Sequence, residues 1–302
     1  MARLIKLADI VKKVKTKIFP SDENSELPDT EEFDLSEDSE DSEEYHIEPS
    51  GEINANLLTY HKPQSFEAEQ FKMLRTKLLF PVSGKAPRSI MITSPAPEEG
   101  KTFICANLAV SIAQNIDKFV FLMDCDLRRP NIHKFFGYED VPGLSEYLSY
   151  GTHFDEANPK EFISVPGLSE YLNEHNVFLS SLLLRTKLKR LTILPGGMPP
   201  DNPSELLSSN KMIGLLKEVT TRYSDRCVLI DSPSPNLMPE TSVIARQVDG
   251  VIIVIKYGST TQRMVDQLIE IIGRDKVMGI IINWFDTRSS SYNLYHKYVK
   301  RK

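Results

Sequence analysis

The stretch SIMITSPAPEEGKT, residues 89–102, restricts the folds open to this chain more than any other feature. Ser89–Thr93 is a short apolar run of strand length. Pro95 and Pro97 interrupt it, and from Thr102 to Gln114 the apolar spacing reads as a helix. Gly100, Lys101 and Thr102 therefore stand where a strand has turned into a helix. At such a junction the free backbone N–H groups and the positive end of the helix dipole face outward together, which favours an anion. The Lys101 ammonium suits β- and γ-phosphate oxygens, and the Thr102 hydroxyl suits magnesium. Pro97, Glu98, Glu99, Gly100, Lys101, Thr102 and Phe103 are thus the expected ATP-binding loop, with Mg2+ as its companion.

The rest of the globular part supports this reading. Phe119–Met123, Leu191–Leu194, Cys227–Ile230, Val251–Ile255 and Gly279–Ile282 are further apolar runs of strand length. Helical patterns fall at residues 65–79, 204–223, 239–246 and 262–273. Continuous apolar strands alternating with amphipathic helices predict an α/β fold: a doubly wound, mostly parallel sheet with helices on both faces. Two strands end in carboxylates, where open α/β sheets bind ligands. Asp124 and Asp126 follow the first of them, and alternation along extended backbone would turn both toward one metal. Asp231 ends Cys227–Ile230 in the manner of a Walker B strand. The expected metal set is Thr102, Asp124, Asp126 and Asp231.

Taken together, the phosphate loop, the DCDLRRP segment (residues 124–130) and the IDSP segment (residues 230–233) resemble the bacterial tyrosine autokinases of polysaccharide biosynthesis, relatives of the MinD and ParA ATPases. LPGGMPPDNPSELL, residues 194–207, is similar to that family's LPAG…NPSELL stretch. The resemblance covers roughly residues 63–285. It implies a cytoplasmic protein-tyrosine autokinase that passes the γ-phosphoryl group of ATP to tyrosines of a neighbouring subunit, in the service of exopolysaccharide polymerisation or export. Lys101, Asp124 and Asp126 would be catalytic, Asp124 helping to deprotonate the acceptor. Asn283 would contact adenine. Tyr292, Tyr295 and Tyr298 would be the phosphoacceptors. Glu69, Lys72 and Arg75 match an E-x-x-R-x-x-R oligomerisation helix, with Lys72 replacing an Arg and losing its bidentate geometry. Homo-oligomers and a separate membrane activator of the chain-length-determinant class follow from the same likeness.

One departure lies in the loop itself, where the family reads P-G-E-G-K and this chain has Glu98 for the first Gly. An inward carboxylate about 6 Å from phosphate would repel it by roughly 3 kcal/mol at an effective dielectric near 20. An outward one costs only its backbone conformation, on the order of 1 kcal/mol. A MinD-like membrane-associated ATPase switch, with water as the nucleophile, and a weakly active regulatory relative with an altered loop therefore stay open as alternatives. The tyrosine tail also has a bland reading, a short helix with one aromatic face packed on the domain.

Before the globular part lies a bipolar arm. Residues 1–20 hold six Lys or Arg and one Asp, whereas residues 21–50 hold fourteen Asp or Glu and no Lys or Arg. The net charge of −6 is therefore an average that says little about the folded part. Residues 1–19 read as a basic amphipathic helix, for an anionic membrane surface or for a partner protein. Residues 20–55 read as a disordered acidic linker, residues 60–286 as the kinase or ATPase domain, and residues 287–302 as the tail. No apolar run approaches the ~20 residues of a membrane span, no secretory signal is evident, and no basic-aromatic patch or helix-turn-helix suggests nucleic acid. Cys105, Cys125 and Cys227 are expected to be buried thiols. The octapeptide VPGLSEYL occurs twice, at Val141–Leu148 and Val165–Leu172, and reads as a local duplication.

Overall fold

The computed structural model describes residues 3–4, 49–115, 117–149, 179–221, 225–235 and 241–285. Eight strands form one sheet: β1 (Arg3–Leu4), β2 (Ser89–Thr93), β3 (Phe119–Asp124), β4 (Leu184–Arg185), β5 (Leu191–Leu194), β6 (Arg226–Asp231), β7 (Gly250–Lys256) and β8 (Val277–Asn283). Their order is β1-β8-β7-β2-β6-β3-β5-β4. The six central strands are those read from the sequence, and all run parallel to one another. The two-residue strands β1 and β4 pair antiparallel at the edges.

Nine α-helices surround the sheet among the described residues: α1 (Leu58–His61), α2 (Phe66–Leu79), α3 (Lys101–Ala113), α4 (Ile132–Phe135), α5 (Leu144–Ser149), α6 (Pro203–Ser208), α7 (Asn210–Thr221), α8 (Thr241–Gln247) and α9 (Gln262–Ile272). Because side chains alternate along a strand, each central strand feeds two cores. Ile90, Ile92, Val120, Leu122, Ile252 and Val254 pack under α2 and α3, with Phe71, Leu74, Ile104 and Leu108. Met91, Phe121, Met123, Val251 and Ile253 face the other way, against Leu206, Leu215, Ile244 and Leu268. The three cysteines are buried free thiols.

Local chemistry sets the helix ends. Ser65 caps α2 by accepting the Ala68 N–H, 3.1 Å. Where one helix was expected over residues 204–223, Ser209 adopts extended backbone (ψ 154°). Its hydroxyl donates to the Leu206 carbonyl and accepts the Met212 N–H, so it ends α6 and opens α7. Asn107, wholly buried on α3, donates to the carbonyls of Asn56 and Phe103 and accepts from the Thr59 N–H and hydroxyl. That amide pins α1 to the helix that follows the phosphate loop.

Two boundaries differ from expectation. Residues 49–55 are not free linker: the Gly51 N–H donates to the Gly137 carbonyl and the Asn54 N–H to the Phe135 carbonyl. Arg3–Leu4 are strand rather than the start of a helix, because β8 offers an unpaired edge that Arg3 and Leu4 complete opposite Ile282 and Ile281. The remainder of the expected helix at residues 1–19, the acidic segment before residue 49, the second VPGLSEYL copy, and Tyr292, Tyr295 and Tyr298 lie outside the described residues. Among the described residues no helix is long and apolar enough to cross a membrane.

Candidate nucleotide and phosphotransfer site

Sheet order assembles the site. β2, β6 and β3 are neighbours, and Asp231 stands in register with Ile92 on one side and Asp124 on the other. The loop leaving β2 and the carboxylates ending β6 and β3 therefore share one edge. Gly100 opens α3 in left-handed backbone (φ 91°, ψ 23°), a conformation that suits glycine. A β-carbon there would also lie 2.1 Å from Asn283 Nδ2. Lys101 and Thr102 follow on the first turn of the helix. Lys101 Nζ lies 3.3 Å from Asp126 Oδ2. The Thr102 hydroxyl donates to Asp231 Oδ2, 2.6 Å away.

Pro97 and Glu98 form the exposed tip of the loop. Glu98 has a φ of 61°, so the position does demand the left-handed conformation that glycine gives without strain. Its exposure corresponds to the outward orientation, whose cost is mainly that of the backbone. Glu99 is buried and braces the loop from within. Its carboxylate accepts the Ala96 N–H at 3.0 Å and the hydroxyl of Thr260, which follows β7. Its carbonyl accepts the Asn283 amide at 2.9 Å. Phe103 is half-buried and packs edge-on to Phe71, with ring centroids 6.1 Å apart.

Asn283 thus supports the loop. It is 4% exposed, and its Oδ1 accepts the Trp284 N–H at 2.9 Å. Trp284 itself is 61% exposed at a φ of 61°. It is the sole tryptophan of the chain and lies beside Gly100.

The three aspartates have different surroundings. Asp124 is fully buried, and its carboxylate accepts three backbone N–H groups, from Asp126, Asn131 and Ile132, at 3.1, 2.8 and 3.0 Å. Burial pushes its pKa up to about 6, against the pull of those N–H donors, with the Asp126 charge raising it further. Strand β3 ends at Asp124, so Asp126 is not the next alternate strand residue. It reaches Lys101 because the loop bends around the Asp124 carboxylate. Asp231 is buried, and desolvation raises its pKa to about 8, opposed by the Lys101 charge and the Thr102 hydroxyl and reinforced by Asp124 and Asp126. Its Oδ1 has no hydrogen-bond partner. Among the described residues, no three acidic, His or Cys side chains form a metal cage. An orphaned carboxylate oxygen beside a hydroxyl and a lysine does fit a magnesium ion held largely by phosphate and water.

The expected oligomerisation residues lie on α2. Glu69 and Lys72 pair at 2.8 Å, and Lys72 also donates to the Pro63 carbonyl at 2.7 Å. Arg75 donates to the Ser111 carbonyl at 2.6 Å.

Residues 90–300 match the family model for the CobQ/CobB/MinD/ParA nucleotide-binding domain. The tyrosine-protein kinase YwqD of Bacillus subtilis is 30% identical over 246 residues, which cover 80% of this chain and 92% of YwqD. The chain belongs to the bacterial tyrosine-protein kinases of the MinD/ParA class. The tyrosine-protein kinase ptk of Acinetobacter johnsonii is 31% identical over 79% of this chain, but the match spans only 29% of ptk. The kinase domain of the Escherichia coli tyrosine kinase ETK superposes with a TM-score of 0.63 at 26% identity, covering 81% of this chain and 85% of that domain. The chimerical protein CapA2B2 gives 0.62 at 28% identity, covering 78% and 94%.

Sequence reading did not find the bracing contacts Glu99–Thr260 and Asn283–Glu99, or a third one: Glu146 accepts the N–H groups of Gly143 (2.6 Å) and Met198 (2.9 Å). Glu146 lies in the first VPGLSEYL copy, so that copy holds the LPGGMPP loop. Its doubling in the sequence was the signal, but nothing in the repeat named the partner.

Proposed function

We propose that this chain transfers the γ-phosphoryl group of ATP to tyrosine hydroxyls, with Tyr292, Tyr295 and Tyr298 of a neighbouring subunit as acceptors, and so regulates exopolysaccharide polymerisation or export. The observation that carries the reading is the meeting of Lys101 with Asp126, and of Thr102 with Asp231, at one sheet edge. Magnesium-bound ATP, when present, would supply the phosphoryl group and a divalent charge to offset that of the phosphates. Thr102 and Asp231 would hold the metal, and the amides at the start of α3 would hold the phosphates.

Lys101 would exchange its partner Asp126 for phosphate oxygens, neutralising charge that builds in the transition state. That exchange frees the Asp126 carboxylate. Asp126 then takes the phenol proton as the tyrosine oxygen bonds to the γ-phosphorus and ADP leaves. Asp124, with three N–H groups on its carboxylate, acts as a positioning residue that sets the bend carrying Asp126. By the family resemblance, a separate membrane protein of the chain-length-determinant class would be its activator.

Incubation with radiolabelled ATP and magnesium tests this. Label should enter the wild type, fall at least 100-fold in Lys101→Ala through loss of transition-state charge compensation, and disappear in the Tyr292/Tyr295/Tyr298→Phe variant. Label that survives the tyrosine changes moves the acceptor elsewhere. Inorganic phosphate released without any label overturns the kinase reading in favour of a switch ATPase.

A further inference from the structure

The loop that carries Asp126 to Lys101 has a second side. Arg128, Arg129 and Pro130 on this loop, Lys134 on α4, and Met198 and Pro199 across from them line an open cleft of about 390 Å3. That volume lies within the usual range of ligand sites. Arg128, Arg129 and Lys134 are exposed, and none forms an ion pair among the described residues. One carboxylate, Asp140, also borders the cleft, leaving an excess of positive charge. Met198 is 43% exposed and stands beside Pro199 as an apolar wall.

Both walls are fixed by hydrogen bonds. Asp124 holds the N–H groups of Asn131 and Ile132, which set the basic side. Glu146 holds the Met198 N–H. Gly197, at a φ of 82°, approaches so closely that a β-carbon would lie 2.0 Å from Glu146 Oε2. Buried His133 beneath the basic side stays neutral near pH 7: desolvation, reinforced by Lys134 and opposed by Asp140, lowers its pKa to about 4. The positive charge of the cleft is therefore that of Arg128, Arg129 and Lys134.

We infer that this cleft docks a tyrosine-bearing peptide of another protein, with acidic residues beside the tyrosine, as a substrate additional to the tail tyrosines of the phosphotransfer proposed above. The ring would rest on Met198 and Pro199 while flanking carboxylates meet the Arg and Lys groups, bidentately in the case of Arg. The same loop carries Asp126, the proton acceptor proposed above, shortly before Arg128. The inference rests on the kinase reading for its consequence but not for the binding itself. Tyr45, preceded by Glu40, Asp41, Glu43 and Glu44, shows the chemistry required, whereas Lys297, Lys300, Arg301 and Lys302 surround or follow the tail tyrosines.

Fluorescence anisotropy of the full chain tests the docking without ATP. The probe is a labelled peptide with the sequence of residues 40–48, compared with its all-Gln counterpart and with a peptide of residues 290–300. The acidic peptide should bind roughly tenfold or more tightly than either, and Arg129→Glu/Lys134→Glu should erase the preference. Trp284 fluorescence with magnesium-ATP should titrate unchanged in that variant, which shows that the fold and the nucleotide site are intact. With ATP added, the variant should raise KM for the acidic peptide while kcat holds. Equal binding of the Gln peptide, equal binding by the double variant, or full displacement by tyrosine-free polyglutamate or by an oligonucleotide overturns the docking inference. Selective binding of a peptide that is never phosphorylated leaves the cleft standing and sinks the kinase reading instead.

Discussion

Asp231 bears opposite demands from stability and function. A carboxylate with its pKa raised to about 8 binds its proton more tightly when folded than when unfolded. Unfolding therefore releases a proton, and stability without nucleotide falls as pH climbs from about 4 toward 8. Asp124 adds to the same decline between about 4 and 6. Asp231→Asn keeps the acceptor for the Thr102 hydroxyl and removes the buried charge. It should raise stability at pH 8, without nucleotide, by on the order of 1–3 kcal/mol, flatten the pH dependence, and abolish phosphotransfer. Urea melts at pH 5 and pH 8 check this; a variant less stable than wild type at pH 8 refutes it. Glu98 presents the milder conflict. Glu98→Gly relieves a left-handed φ but frees the unfolded chain, so melting should move by no more than roughly 1 kcal/mol in its favour. Isothermal calorimetry should show magnesium-ATP binding as tightly or more so. Weaker binding would mean that the Glu98 side chain assists the nucleotide.

At the scale of elements, α3 joins the phosphate loop to the core. Leu108 on this helix is completely buried among Ile90, Ile92, Leu122 and Leu229. Leu108→Ala should cost about 2–5 kcal/mol, measured by chemical denaturation, because the sheet beneath cannot close the cavity. Less than 1 kcal/mol would mean that α3 rides loosely on the sheet. Elements of this kind were legible in the sequence: β2, β3, β5, β6 and β7 are largely buried on both faces, β8 only in part, and so they appear as nearly unbroken apolar runs. β1 and β4, two residues each, carry no period to read. The break between α6 and α7 was missed because Ser209 interrupts the pattern through its own hydroxyl and not through Gly or Pro. Lys101, Thr102 and Asp231 were legible because each sits at a strand end or helix start that is local in sequence. Their braces were not, since Glu99 meets Thr260 across 161 positions and Asn283 across 184. The different tasks proposed for Asp124 and Asp126 rest on the loop wrapping around the Asp124 carboxylate, which no sequence pattern shows.

Across the whole molecule, the site holds more unfavourable charge than the rest of the core accepts. Asp124 and Asp231 end adjacent strands, wholly or almost wholly buried, and Lys101, whose charge acts on Asp231, is itself paired to a third carboxylate, Asp126. A divalent cation bridging to phosphate would offset that charge, so ligand binding and fold stability should be strongly linked. At a magnesium-ATP concentration 100 times its Kd, linkage contributes about 2.7 kcal/mol. For a domain of this size that corresponds to a rise in Tm of roughly 5–10 °C. Lys101→Ala should lower the affinity enough that the same concentration shifts Tm by less than about 2 °C. The tyrosine-to-Phe tail variant should retain the full shift, because on the proposed mechanism those residues would accept the phosphoryl group and would not hold the nucleotide. ATP without the metal should stabilise weakly, since phosphate charge alone would worsen the repulsion from Asp124 and Asp231. Differential scanning calorimetry of the three chains, with and without EDTA, separates these outcomes. An equal rise in all three would place the nucleotide away from Lys101, and with it the site built on the edge of β2, β6 and β3.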